Sequence, residues 1–450
     1  MSGAFARALV GAGMSGAAAG AKQALFDDAV EALRAHGVAG ERIAAWFSPG
    51  RIEVLGKHTD YAGGRSLLCA VERGVCLAAS PRDDGRVRVI DVRLNDAAEF
   101  PFSPDLEPPM GHWSNYPMTV VRRVARNFPG ARRGLDIALG SDLPLSAGVS
   151  SSSALVVAVF LAVSSMNDLE HDELYRREIR DREALASYLG CVENGQSFGS
   201  LAGDRGVGIF GGSEDQTAIL CCRPHTLSQY SFCPVRAEGT VRLPDGYTFA
   251  IANSGVLAEK AGAARDLYNR ASVATQVILR AWNDATGRGD DSLAAAVVSA
   301  PGAPDRIRQI LRGATHAEYA PGILVDRFDQ FVEESMRIIP SARLALEAGD
   351  LERFGALVDE SQNNVERWLG NQIAETIALQ RQARALGAVA ASAFGAGFGG
   401  SVWALVREPD AGAFARDWDS RYRQAFPGAG PAAGVLVTGA GPAALQLAYQ

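Results

Sequence analysis

Ten consecutive apolar residues, Ala154 to Val163, stand directly behind four serines, Ser150 to Ser153. A run this long and this apolar must be buried, and with no turn residue inside it the run reads as a helix. The stretch before it, Leu143-Pro144-Leu145-Ser146-Ala147-Gly148-Val149, is made of small and apolar residues, so its backbone can approach a ligand closely. The unpaired N–H groups of the first helical turn point into that loop, and the helix dipole adds favourable charge for an anion. Capping a buried helix needs one serine and not four. The loop is therefore read as phosphate-binding, with Gly148, Ser150, Ser151 and Ser152 as its working residues and the hydroxyls as further donors or a metal ligand.

The rest of the chain must supply a soluble frame around such a site. At 450 residues it is too long for one ordinary core, which suggests two or three domains. A hydrophobic fraction of 47% and a charged fraction of 21% are ordinary for globular proteins. The net charge of −7 argues against a nucleic-acid partner, which calls for a clustered basic surface. No stretch approaches the roughly 20 apolar residues of a membrane span. Gly and Ser interrupt the Ala-rich start, Met1 to Ala21, so no leader peptide is expected there. The six cysteines form no C-x-x-C pair and several lie in apolar runs, so they read as reduced thiols of a cytoplasmic protein.

Periodicity outlines the elements. Lys22 to His36 is helical, Ile43 to Phe47 and Arg51 to Leu55 read as two short strands broken at Ser48-Pro49-Gly50, and Ser66 to Ala79 reads as a further pair. Arg86 to Val92 and Leu135 to Leu139 are strands, Arg182 to Asn194 a helix, and Thr217 to Cys222 a buried strand. Pro234 to Gly246 is turn-rich, and it divides the chain into an N-terminal domain, 1–240, and a C-terminal domain, 241–450. The second half carries long helical stretches (Ala264 to Asn283, Ile323 to Ile339, Leu351 to Val365, Ile373 to Leu386) and strands at Ser401 to Val406 and Gly434 to Thr438. Strands and helices without regular βαβ alternation indicate an α+β fold.

Two more glycine-rich loops carry chemistry. Gly50-Arg51-Ile52-Glu53-Val54-Leu55-Gly56-Lys57-His58-Thr59-Asp60-Tyr61 fails as a Walker A loop, because its spacing is one residue too long and His58 stands where Ser or Thr is required. A buried strand ending in mixed polar groups instead suggests a polar ligand. Gly395-Ala396-Gly397-Phe398-Gly399-Gly400 matches G-x-G-x-x-G but precedes a strand, so a dinucleotide fingerprint is excluded by context. It reads as a tight turn approaching a ligand or the serine loop.

In order, the three loops resemble the GHMP kinase superfamily and, within it, galactokinases. The first resembles G-R-x-N-x-I-G-E-H-x-D-Y, the second P-x-x-x-G-L-S-S-S-A and the third G-A-G-F-G-G. Trp113-Ser114-Asn115-Tyr116, Val192-Glu193-Asn194, Glu214-Asp215-Gln216 and Asn253-Ser254 fit between them. The resemblance implies two lobes, an N-terminal one like ribosomal protein S5 and a ferredoxin-like C-terminal one. It implies transfer of the γ-phosphate of ATP to the anomeric hydroxyl of galactose or a galactose-like sugar. By the same resemblance Asp215 is the catalytic carboxylate with Arg51 beside it, His58, Asp60 and Tyr268 bind sugar, Trp113 lies near adenine, and Ser152 and Glu193 hold Mg²⁺. A monomer with sugar and ATP as its partners is expected.

Glu193 precedes Asp215 by more residues than the family shows, which makes Gly195 to Gly212 an insertion, expected as a flexible loop over the cleft. Two positions depart from the signature: Lys57 replaces the family's Glu, and Glu53 replaces its Asn. Glu53, two residues from Arg51 on a strand, shares its face. If Lys57 contacts substrate, a donor-only cation stands where the family has an acceptor. That raises an alternative, a 1-kinase for an acidic sugar such as galacturonate. A non-catalytic sugar and ATP sensor is the rival from another class, and an intact Asp215, Arg51 and serine loop argue against it. A kinase for a non-sugar alcohol is a third, opposed by His58 and Asp60.

Overall fold

The computed structural model describes residues 3–144, 148–256 and 263–447. Leu145 to Ala147, the middle of the serine loop, lie outside them. Twelve strands occur among the described residues: β1 (Ala44–Leu55), β2 (Arg65–Arg82), β3 (Arg86–Asp91), β4 (Asp96–Pro101), β5 (Gly134–Ser141), β6 (Thr226–Ser231), β7 (Arg236–Arg242), β8 (Tyr247–Asn253), β9 (Ala390–Phe394), β10 (Ser401–Arg407), β11 (Gly434–Thr438) and β12 (Leu445–Leu447). One sheet runs β12-β1-β2-β5-β3-β4, with β6 on the first residues of β2 and β7 beyond it. Only its β3–β5 pair is parallel. The second sheet, β11-β8-β10-β9, is antiparallel throughout. The fold is α+β, and the chain passes from one sheet to the other between β7 and β8.

The apolar helix spans Ser151–Met166 and packs across β1 and β2. Its residues Val156 to Phe160 are fully buried, as a helix apolar on every side requires. Gly16–Ala35 covers another part of the sheet, against β2 and β5.

Several local expectations change. The two short strands before residue 55 are one strand whose pairing register shifts between Pro49 and Arg51. The turn residues make a bulge in a paired strand and not an end to it. There the Arg51 N–H leaves the ladder and donates to the Val149 carbonyl at 3.2 Å. Gly50 is needed at this crossing, since a Cβ would stand 2.8 Å from that same carbonyl oxygen. Likewise the expected pair after residue 65 is the single strand β2. Thr217 to Cys222 is not a strand: Thr217 to Cys221 belong to the helix Glu214–Cys221, and Cys222 is its C-cap. A short apolar run has no periodicity to separate the two states. Here Glu214 and Asp215 in the first turn complement the helix dipole, and the Thr217 hydroxyl bonds back to the Ser213 carbonyl at 2.7 Å. β9, Ala-Ala-Ser-Ala-Phe, carries no strand signal in its sequence, because alanine and serine have little strand propensity.

The stretch Gly195 to Gly212 is pinned rather than free. The fully buried Asp204 carboxylate sits 2.9 Å from Arg122 and 3.8 Å from Arg123, two arginines of the helix Asn115–Asn127. Arg123 also donates to the Gln196 carbonyl at 2.6 Å, and Asn127 to that of Ala202 at 3.1 Å. These bonds replace the flexible loop with a fixed wall. All six cysteines are free thiols. Among the described residues no helix is long and apolar enough to cross a membrane.

Candidate active site

Where β1 leaves its bulge, Arg51 becomes the hub of the site. Its guanidinium donates to Asp215 Oδ1 from Nε at 2.8 Å and approaches the same oxygen from Nη2 at 2.6 Å. From Nη1 it donates to the Gly148 carbonyl at 2.6 Å. One buried side chain thus ties the first turn of the helix Glu214–Cys221 to the serine loop. Burial disfavours its charge, but Asp215, then Glu214 and Glu53, hold its pKa above the usual guanidinium value. Ser153, whose part the sequence did not disclose, donates to the other oxygen of Asp215 at 3.2 Å.

Two clefts meet at this arginine. The first spans about 570 Å³ with its open mouth counted and is lined by Arg51, Glu53, His58, Asp60, Glu193 and Asp215 among others, with Tyr268, Gly211 and Gly212 at its wall. His58, at φ +58°, is bound through both ring nitrogens: Nδ1 faces the Tyr61 hydroxyl at 2.8 Å and Nε2 the Ala396 carbonyl at 3.0 Å. Burial, with Arg327 and Lys57 nearby, lowers its pKa to about 4, so the ring is neutral. Nε2 then carries the hydrogen toward Ala396, and Nδ1 accepts from Tyr61. Asp60 accepts from the Glu214 N–H at 3.2 Å, and burial raises its pKa. The Tyr268 ring lies 4.9 Å from that of His58.

The second cleft spans about 1600 Å³ with its open mouth counted and is largely apolar: Val75, Leu94, Trp113, Tyr116, Leu139, Leu143, Leu155 and Phe394 line it with Asp91, Arg93, Gly148, Ser150, Ser151 and Ser152. Trp113 is held by a bond from its indole N–H to Asp96 at 2.8 Å. Ser150 is the N-cap of the apolar helix at φ +58°, yet its side chain caps nothing, and its buried hydroxyl has no partner. A buried hydroxyl without a partner is costly, and at the start of a sixteen-residue helix it marks a place for an anion. Ser152 lines this cleft and Glu193 the other. Glu193 Oε1 accepts from Gln216 at 2.7 Å. A hydroxyl and a carboxylate are hard oxygen donors that suit Mg²⁺.

Lys57 lines neither cleft. It is 1% exposed, and its ammonium donates to Ser392 on β9 at 2.7 Å and to Ser361 at 3.4 Å. The contact expected with the far end of a sugar is made with two serines of the C-terminal half instead, because Gly56 and Lys57 turn the chain away from the face that Arg51 and Glu53 share. The helix Pro321–Val332 braces this turn, with Arg327 donating to the His58 carbonyl and Gln330 to that of Lys57. Glu334 accepts from the Gly56 N–H at 2.9 Å. These supports were missed. The signal was a polar row, Arg327, Gln330 and Glu334, at helical spacing among Leu324, Phe328 and Phe331.

Three family models match separate stretches: the galactokinase galactose-binding signature over residues 34–81, the GHMP kinase N-terminal domain over 115–195 and the GHMP kinase C-terminal domain over 342–424. A galactokinase of Chloroflexus aggregans is 30% identical over 368 residues, 80% of this chain and 83% of that one. The chain belongs to the galactokinase family of GHMP kinases. A galactokinase of Actinobacillus pleuropneumoniae serotype 3 is 31% identical, but that match spans only half of the relative's length and 47% of this chain. Among solved structures, Lactococcus lactis galactokinase complexed with galactose superposes with a TM-score of 0.76 at 22% identity, covering 92% of this chain and 98% of that one. A mevalonate kinase reaches 0.50 at 14% identity over 89% of this chain and 99% of that one, which places the wider GHMP fold around the galactokinase one.

Proposed function

We propose that this galactokinase-family chain is a sugar kinase that moves the γ-phosphate of ATP to the anomeric hydroxyl of galactose or a galactose-like sugar. The observation that carries the reading is that Arg51, Gly395 and Ala396 line both clefts. A nucleotide on the serine loop and a sugar beside Asp215 would therefore meet at a guanidinium. Phosphoryl transfer asks mostly for positioning and for charge placed at the moving group. Asp215 accepts the proton of the attacking hydroxyl or orients it, and Arg51 fixes that carboxylate and faces the phosphate. Gly148 and Ser150 hold phosphate oxygens through the loop and the helix terminus. Ser152 and Glu193 are the residues to hold Mg²⁺, which when bound neutralises phosphate oxygens. The chain changes sheet between Arg242 and Tyr247, just past the expected boundary at 240, and Leu445–Leu447 returns to pair with β1, which favours a first domain of residues 1–242 completed by that last strand over a plain division into 1–240 and 241–450.

An acidic-sugar kinase loses its support, since Lys57 is spent on Ser392 and Ser361. A coupled ADP-release assay across neutral sugars, uronates and sugar phosphates tests the reading. D-Galactose is expected to be phosphorylated at C1. ADP release with no sugar in the panel would refute it.

A further inference from the structure

Gly395 and Ala396 line both clefts, so the loop Gly395 to Gly400 stands where a sugar and a nucleotide would meet. That loop has little shape of its own. Gly395, Gly397, Phe398, Gly399 and Gly400 all have positive φ, a region that glycine enters freely. Its position is therefore set by what ties it down. The Gly395 N–H donates to Glu53 Oε2 at 3.2 Å, the Phe398 N–H donates to the Asn371 carbonyl at 2.7 Å, and the Ala396 carbonyl faces His58 Nε2 at 3.0 Å. The Asn371 amide reaches the Ala396 carbonyl only at 3.5 Å.

The hydrogens behind the His58 bond run one way. A carbonyl oxygen only accepts, so the neutral ring carries its hydrogen on Nε2, and Nδ1 needs a donor. The Tyr61 hydroxyl supplies it at 2.8 Å. That hydroxyl oxygen in turn faces Arg327 Nη2 at 3.2 Å, and a guanidinium only donates, so the Tyr61 hydrogen is left for Nδ1. Arg327 is 3% exposed, on the helix Pro321–Val332 that Leu324, Phe328 and Phe331 bury, which gives the series of bonds a fixed origin. Neither Arg327 nor Tyr61 lines a cleft. Both ring nitrogens of His58 are thus engaged within the protein. A sugar hydroxyl could take Nε2 only by displacing Ala396.

Resting on the sugar-kinase reading, we propose that His58 is a positioning residue and not a sugar ligand: oriented by Arg327 through Tyr61, it fixes Ala396 and with it the loop shared by both clefts. The family resemblance gives this histidine to the sugar. Here its bond joins the turn after β1 to the third loop across 338 residues of chain, and the loop owes its place to a ring that meets no substrate.

Two measurements test this. Heteronuclear NMR of isotope-labelled histidine reads the tautomer, the His58 signal being the one lost in His58→Gln. Wild type is expected to carry the hydrogen on Nε2 at neutral pH and to keep it there when ADP and galactose bind. Hydrogen on Nδ1, or a charged ring, overturns the proposal. In steady-state kinetics, His58→Asn leaves an amide too short to reach Ala396. KM for ATP and KM for galactose are then expected to rise together, each by roughly threefold to tenfold, the weight of one hydrogen bond. His58→Gln, whose amide N–H can stand where Nε2 does, is expected to recover both. A rise in KM for galactose alone makes His58 a sugar ligand, and a lower Tm with both KM values unmoved makes it merely structural; either result overturns the role. If His58→Asn fails to fold, Tyr61→Phe, at a residue that lines neither cleft, must raise the same two values. Should wild type phosphorylate no sugar, the sugar-kinase reading falls, while the tautomer and the calorimetric ATP affinity of the same variants still decide the role of His58.

Discussion

The two clefts that share Arg51 are built of different material. On the serine-loop side the wall is mostly apolar, with Asp91 and Arg93 in it, and a nucleotide there would be met by Gly148, Ser150 and the start of one helix. On the side of Asp215 the wall itself is charged, and its acids are held from four parts of the chain: β1 through Arg51, β2 through Ser66, the third loop through Gly395, and the helix Glu214–Cys221 through both Gln216 and the Glu214 N–H. The contrast follows from the ligands expected. A planar base and a phosphate chain can be met by an apolar slot and backbone N–H groups, which tolerate many side chains. A sugar is told from its epimers only by polar groups placed one hydroxyl at a time, and removing such a partner is punished heavily.

Three substitutions test how far the two clefts differ. The largest effect is expected at the acid nearest the shared arginine. Asp215→Asn removes the proton acceptor while keeping the shape, and kcat should fall by about 10²–10⁴ with ATP affinity unchanged. Single-turnover assays with calorimetric ATP titration measure both, and near-normal turnover in a folded variant would take Asp215 out of the mechanism.

Next comes the electrostatic cost of the acidic wall. Burial, opposed by Arg51, Lys57 and a side-chain hydrogen bond with Glu214 and reinforced by Glu334, lifts the Glu53 pKa from 4.5 to about 7, and that of Glu214 is raised as well. The folded state therefore holds a proton that the unfolded chain releases. That proton favours folding fully below pH 4.5, and its contribution is lost as the pH rises through about 7. Glu53→Gln cannot titrate, so its stability relative to wild type should improve between pH 5 and pH 8, by at most about 3 kcal/mol. Urea unfolding at the two pH values reads the difference, and equal gaps would mean that Glu53 keeps an ordinary pKa.

The smallest effect belongs to the apolar cleft. Gly148 has φ +70°, and an added Cβ would find the Phe394 carbonyl oxygen at 3.4 Å, an ordinary contact. The cost of Gly148→Val is therefore one of backbone conformation, on the order of 1–2 kcal/mol. KM for ATP is expected to rise roughly tenfold, with KM for sugar unmoved. A shift in both would show that the two clefts are not separable at this loop.

By itself the sequence determined the class of fold, the order of the three loops and the face of β1 that carries Arg51 and Glu53. These follow from local patterns: an apolar run behind four serines, alternation along a strand, and glycines where the chain must turn. The burial of Asp204 between Arg122 and Arg123, the helix that carries Asp215 and the destination of Lys57 were decided only in the folded molecule. Lys57 reaches Ser392 across 335 residues of chain, and Gly56 reaches Glu334 across 278. A lysine that follows a glycine in a polar loop looks the same whether its ammonium meets a ligand or two serines. Which it meets depends on how the C-terminal half docks against the turn, and that docking is set by packing between segments with no shared local pattern.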